Sequence, residues 1–283
     1  MKIKWMIHRS EKPFLQEKEV YKSLNTIIKK QYPEMEFIDN GVLFSIHYKN
    51  TIIDFDYGYH DMEKRDFSEY NSVISTGMCA IFNPNLQPGT LFFAKESDFM
   101  NIDTNNKELK IKGPRVNKHN EMSLIFKKLI SYESTHDTND LKQTLYDLFG
   151  DEFVNLKQLN IHDDAKYVTA NGLFKPSELG DYDIKREENN SESNVDNLKE
   201  YLEKSYDCLN CETYGLMKNP TVNNLMMFSF GLDKPYSVTE LTDDIRAGKD
   251  FSKNLPTFNL GLTFYFKTLL LSSVLEDGGN NLK

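Results

Sequence analysis

Four things are scarce in this chain of 283 residues. There are only three cysteines, Cys79, Cys208 and Cys211, so no disulfide scaffold of the small secreted type can be built. Positive charge is in deficit: 34 Lys and Arg stand against 43 Asp and Glu, a formal net charge of −9, and no dense basic run relieves it. Such a surface repels a phosphate backbone, which argues against nucleic acid as a partner. Long apolar runs are missing too. The longest, "LGLTFYFKTLLLSSVL" at 260–275, is too short to span a bilayer, contains Lys267, and reads as a buried helix. The start, "MKIKWMIHRSEKPF", has charges where a secretory signal would be apolar. These absences together predict a cytoplasmic protein without a membrane segment. Finally, no glycine-rich phosphate loop, nucleophile elbow, HExxH or doubled cysteine pair is found, which weighs against the common nucleotide-binding and hydrolase classes.

What is present is a chain able to fold. It is 39% hydrophobic and 27% charged, with 19 Phe and 15 Tyr against a single Trp. Apolar residues at helical spacing (Val20, Leu24, Ile27, Ile28) predict a helix over 14–32, stopped by Pro33. The period then changes to two. "GVLFSIHY" (41–48) and "TIIDFDYGY" (51–59) read as a hairpin about Lys49-Asn50, and "MCAIF" (78–82) with "TLFFAK" (90–95) as another. A short helix is expected over 65–76 and an edge strand over 107–113. Helical patterns follow around Met122–Leu129 and Leu141–Leu148, the second ended by Gly150.

Residues 185–194, "KREENNSESN", contain no apolar side chain and read as a linker or mobile loop. They divide the expectation into an α+β domain over 1–184, with an N-terminal helix and an antiparallel sheet built from hairpins, and a mostly helical domain over 195–283. In the latter, Val195, Leu198 and Leu202 form an apolar stripe. "KPYSVTELTDDI" (234–245) opens with a capping box from Ser237 and Glu240, and the order of segments around it resembles a winged helix-turn-helix. A DNA-reading version would present basic or amide side chains on its recognition helix; "FNLGLTFYFKTLL" offers one Lys.

The chemistry-bearing stretch is "TIIDFDYGYHD" (51–61). If Tyr48 opposes Thr51, one face carries Phe44, Ile46, Tyr48, Ile53, Phe55 and Tyr57, and must be the core side. The other carries Leu43, Ser45, His47, Ile52, Asp54 and Asp56, with His60 and Asp61 just past the strand. Asp54, Asp56 and Asp61 are then candidate ligands for Mg, Mn or Zn, with His47 or His60 as ligand or general base. The alternative is a solvated sheet face. "CLNC" (208–211) lacks the second pair that a structural zinc site needs. "HDD" (162–164) and "STHD" (134–137) read as caps and turns. The functional expectation is an acidic accessory, immunity-like or regulatory component acting by contact with another protein, its aromatics suited to interfaces. The alternative is a divalent-metal hydrolase, perhaps cleaving phosphodiesters, centred on Asp54 and Asp56.

Overall fold

The first strand decides the architecture. "KIKWMIH" alternates lysine with apolar residues and forms β1 (Lys2–His8), which lies between β4 (Thr51–Gly58) and β5 (Ser72–Ile81) and runs parallel to both. The computed structural model describes residues 1–8, 17–41, 43–58, 61–117, 122–150, 156–171, 182–188, 191–233 and 260–276. They hold twelve strands in one mixed sheet. The remaining strands are β2 (Glu36–Asp39), β3 (Phe44–Tyr48), β6 (Leu91–Asp103), β7 (Glu108–Val116), β8 (Ile161–Ala170), β9 (Asp183–Glu188), β10 (Ser191–Asn194), β11 (Cys208–Asn210) and β12 (Leu225–Asp233).

Five of them close on themselves. β5 pairs with β12, β12 with β6, β6 with β8, β8 with β11, and β11 with β5, so the centre of the sheet is a five-stranded barrel. Closure removes edges at the centre. From the barrel the sheet extends through β1, β4, β3 and β2 on one side, and through β7, β9 and β10 on the other. Inside the barrel Tyr167, Cys79 and Cys208 lie together, and the Tyr167 hydroxyl donates to the Phe92 carbonyl at 3.2 Å.

The helices follow from their stripes. α1 (Glu17–Gln31) buries Val20, Tyr21, Leu24 and Ile28; α6 (Leu260–Glu276) is apolar nearly all round and buried accordingly. Together with α2 (Met122–Thr135) and α3 (Asn139–Phe149), they cover one face of the sheet. There Trp5 stacks on Phe55 with centroids 5.1 Å apart, and Phe55 on Phe44 at 4.2 Å. The opposite face carries Met6, Met62, Phe67, Tyr70 and Val73, covered by a 3₁₀ turn (Met62–Lys64) and α5 (Thr213–Lys218). α4 (Leu198–Ser205), capped by the Asn197 side chain, packs Leu198 and Leu202 on a third cluster.

Several expectations hold. The helix at 17–31, the pair of helices with Gly150 left-handed at φ 72°, and the buried helix at 260–276 are all found. The opening hairpin has the expected register, with Tyr48 opposite Thr51 and His47 opposite Ile52, and Lys49 taking a positive φ in the turn.

Others are corrected. β5 and β6 do not form a hairpin: β12, 120 residues further on in the chain's C-terminal part, comes between them. Residues 72–76 are strand rather than helix, because they run through the centre of the sheet. β7 is no edge, since β9 pairs beyond it. "HDD" lies within β8. The expected linker is the β9–β10 pair, with Lys185 opposite Asn194. β11 and β12, which follow residue 194, belong to the same sheet as β1. A polar strand needs no apolar residue when its backbone is satisfied at a sheet margin. The capping-box segment 234–245 lies outside the described residues; the "NNLMMFSFGL" before it is the central strand β12 rather than part of a winged helix.

Candidate functional site

The face identified from the sequence exists, but its carboxylates are already occupied. Asp54 accepts from Ser45 Oγ at 2.7 Å and from the Tyr70 hydroxyl at 3.1 Å, with Lys2 Nζ at 3.7 Å. The Tyr70 phenol is in turn held well above its ordinary pKa, by burial first and then by the Asp54 charge. Asp56 pairs with Lys4 Nζ and Arg65 NH1, each at 3.2 Å. His47 shares the face, opposite Ile52 and Glu36. Asp61 is exposed and opens the 3₁₀ turn, while His60 lies outside the described residues. Among the described residues no group of three or more His, Cys, Asp or Glu is placed to hold a metal ion. The lysines of β1, which sequence reasoning did not read as a strand, supply the compensating charge that a divalent cation was expected to bring.

The consequence is measurable. Asp54→Ala removes two hydroxyl hydrogen bonds from a mostly buried carboxylate and lowers stability by about 1–2 kcal/mol in urea titrations. Asp56→Asn, at a half-exposed and solvent-screened position, costs under about 1 kcal/mol. Mg, Mn and Zn leave the melting temperature of the wild type unchanged. A rise with any of these metals that the Asp54→Ala/Asp56→Ala double variant lacks would restore the metal reading.

A different cluster is assembled where β1 ends. On the shared edge of β5, β1 runs up to His8 while β11 arrives from the opposite direction, with Cys208 opposite Ile81. The chain leaving β11 therefore delivers Glu212 to His8. His8 Nδ1 lies 3.6 Å from Glu212 Oε2, and His8 Nε2 lies 3.0 Å from Ser75 Oγ. All three are at most 2% exposed. The Cys211 backbone N–H donates to Glu212 Oε2 at 3.1 Å. Below it, Asn210 Oδ1 accepts from the N–H groups of Glu212 at 3.3 Å and Thr213 at 3.2 Å, and from Thr169 Oγ1 at 3.3 Å. That turn fixes the carboxylate's backbone.

Two glycines make room. A Cβ at Gly77 would fall 2.0 Å from His8 Cγ and Nδ1, and one at Gly58 would fall 2.9 Å from Glu212 Cγ. Gly58 ends β4 beside His8, in register with it. Isolated glycine within a strand pattern marks such close approaches, and this was the signal available in the sequence for a site that reasoning from Asp54 passed over. Asp54, Asp56 and Gly58 alternate along one face of β4, so the acidic ridge leads toward this cluster without forming it.

Among the described residues no cysteine is in a disulfide or in a group of metal-ligating side chains. Cys208 is buried beside Cys79 rather than Cys211, and all three cysteines are free. Burial first, then the neighbouring Cys79, pushes the Cys208 thiol up; burial and then the Glu212 charge do so for Cys211. A raised pKa means less thiolate at a given pH. At pH 8 iodoacetamide therefore alkylates Cys208 and Cys211 in the folded protein at least about tenfold more slowly than in urea. Fast labelling of either in the native state contradicts this.

No protein-family model matches the chain, and no curated protein matches it. Solved structures do. A uridine phosphorylase of the oomycete Phytophthora capsici matches 96% of this chain and 88% of its own at 12% identity, with a TM-score of 0.50. The 5'-methylthioadenosine/S-adenosyl homocysteine nucleosidase of Campylobacter jejuni matches at 12% identity over 98% and 99% of the two chains, TM-score 0.47. That of S. pneumoniae matches at 9% identity over 97% and 100%, TM-score 0.49. The first of these shows the fold, a mixed α/β sheet with a barrel core. The expectation of a protein-interaction component is corrected by this match: 96% of the chain follows the fold of a uridine phosphorylase. No helix of the described residues is long and apolar enough to cross a membrane.

Proposed function

We propose that the protein binds a nucleoside and cleaves its N-glycosidic bond, as a hydrolase or a phosphorylase. The observation that carries this reading is the buried His8–Glu212 pair at the carboxyl ends of the parallel strands β1 and β4, on the fold that a uridine phosphorylase shares. In open α/β sheets, ligands bind outside the carboxyl ends of strands.

The chemistry agrees with that position. A carboxylate only accepts hydrogen bonds, and the vicinal hydroxyls of a ribose donate a matched pair. Glu212 Oε2 is engaged by Cys211 and His8, whereas Oε1 accepts nothing among the described residues. Cleavage at an anomeric carbon builds positive charge on the sugar, and a fixed buried carboxylate beside it stabilises that charge. The departing base needs a proton, supplied by solvent or by an acid at the site. Free buried thiols are consistent with a cytoplasmic setting.

The test is direct. Purified protein is incubated with adenosine, inosine, guanosine, uridine and 5'-methylthioadenosine, with and without phosphate, and free base is followed by chromatography. Release of base from one of them supports the reading. No release, together with no binding by calorimetry at millimolar nucleoside, rejects it.

A further inference from the structure

The contacts of His8 constrain more than its position. Its Nδ1 faces Glu212 Oε2 at 3.6 Å and its Nε2 faces Ser75 Oγ at 3.0 Å. A carboxylate has no proton to give, so a favourable contact requires Nδ1 to carry the hydrogen. In a neutral ring Nε2 must then accept, and the Ser75 hydroxyl must be the donor. We infer that His8 is a positioning residue: a neutral, Nδ1-protonated imidazole, fixed by Ser75, that orients the Glu212 carboxylate toward the sugar hydroxyls. The inference rests on the nucleoside reading for its purpose, but not for its geometry.

The surroundings are built for this ring. Gly77 leaves the space its Cγ and Nδ1 occupy, and Gly58 leaves the space of Glu212 Cγ, so each partner is seated against bare backbone. Glu212 is held from the other side by the Cys211 N–H. At 3.6 Å the His8–Glu212 contact is an electrostatic one, longer than a hydrogen bond. Ser75 is fully buried on β5, which gives its hydroxyl few alternative partners.

Nitrogen-15 imidazole spectra of the whole protein at pH 7.5 read the tautomer without substrate. The His8 signals, assigned by their loss in His8→Ala, are expected to show pyrrole-type Nδ1 and pyridine-type Nε2. Ser75→Ala and Glu212→Gln each shift that population toward Nε2–H. A wild-type ring protonated at Nε2, or doubly protonated, overturns the inference.

Kinetics supply the second readout. Asparagine places its amide nitrogen where Nδ1 stood, and glutamine places it where Nε2 stood. His8→Asn is expected to keep kcat/KM within about fivefold, whereas His8→Ala and His8→Gln lose ~10–100-fold, as outer partners of a binding group typically do. The loss falls mainly on KM. Equal losses for Asn and Gln mean that His8 serves packing alone and reject the positioning role. If the wild type neither binds nor cleaves nucleosides but the tautomer is as stated, the functional reading fails and the relay stands. If it cleaves them with an Nε2-protonated ring, only the relay fails.

Discussion

Glu212→Gln lowers kcat/KM for nucleoside cleavage by at least about 100-fold, the scale seen when one preorganised charge-stabilising group is removed. The amide is nearly the same size, so packing against Gly58 is kept. Its chemistry is not. The wild-type oxygen faces two donors, the Cys211 N–H and His8 Nδ1, and an amide nitrogen placed there would oppose donor with donor. Turning the amide to avoid that clash points its NH₂ toward the sugar, where an acceptor is required. The negative charge beside the developing cation is lost in either orientation. Steady-state kinetics on the nucleoside that the wild type cleaves decides this. A Glu212→Gln protein that folds normally and keeps kcat/KM within threefold of wild type removes Glu212 from the site.

Gly77→Ala is the most damaging single methyl the fold can receive near this site. The added Cβ would lie 2.0 Å from two atoms of the His8 ring and 2.5 Å from His8 Cβ, so ring rotation alone cannot relieve it. β1 would have to part from β5 in the middle of the sheet, where Ile7 pairs with Thr76. Overpacking usually costs about 1–3 kcal/mol, and this position belongs at or beyond the upper end. His8→Gly in the same chain removes the obstructing ring and should recover most of the loss, giving a coupling energy of about 2 kcal/mol or more between the two sites. Gly150→Ala is the control. Its φ of 72° is strained for alanine, yet nothing lies within 4 Å of the new Cβ. The cost there is about 1 kcal/mol. Chemical denaturation of Gly77→Ala, His8→Gly, the two combined, and Gly150→Ala makes the comparison; a Gly77→Ala protein as stable as wild type shows that the strands give way freely.

The two results bear on each other, because one feature underlies both. β1 and β11 approach along the same edge of β5 from opposite directions, and their ends hold His8 and Glu212. The barrel fixes β11, and pairing with β4 and β5 fixes β1. A stability defect at Gly77 and an activity defect at Glu212 therefore report on one junction.

Local order was readable from residue types. The Lys49-Asn50 hairpin came out in register because burial of Phe44, Ile46, Ile53 and Phe55 permits one alignment only. α1, α3 and α6 followed from apolar spacing and from Gly150. Asp54 and Asp56 were correctly set on one face beside His47, but what neutralises them was not legible. Lys2 and Lys4 belong to a strand about 50 residues earlier, and nothing local announces that it inserts beside β4.

The same limit hid the site. His8, Ser75 and Glu212 come from three distant segments, and no periodicity links a residue at 8 with one at 212. A sequence cannot say what approaches the bare backbone at Gly58 and Gly77. Residues 185–194 misled for a related reason: lacking apolar side chains they resembled a linker, yet β9 is held by backbone pairing to β7, and β10 to β9. By itself the sequence determined elements, faces and turns, which depend on neighbours within a few residues. Which strand enters beside which, and so which charges cancel and which buried groups meet, was decided only by tertiary structure, because strand pairing through generic backbone hydrogen bonds leaves no signature in side-chain order.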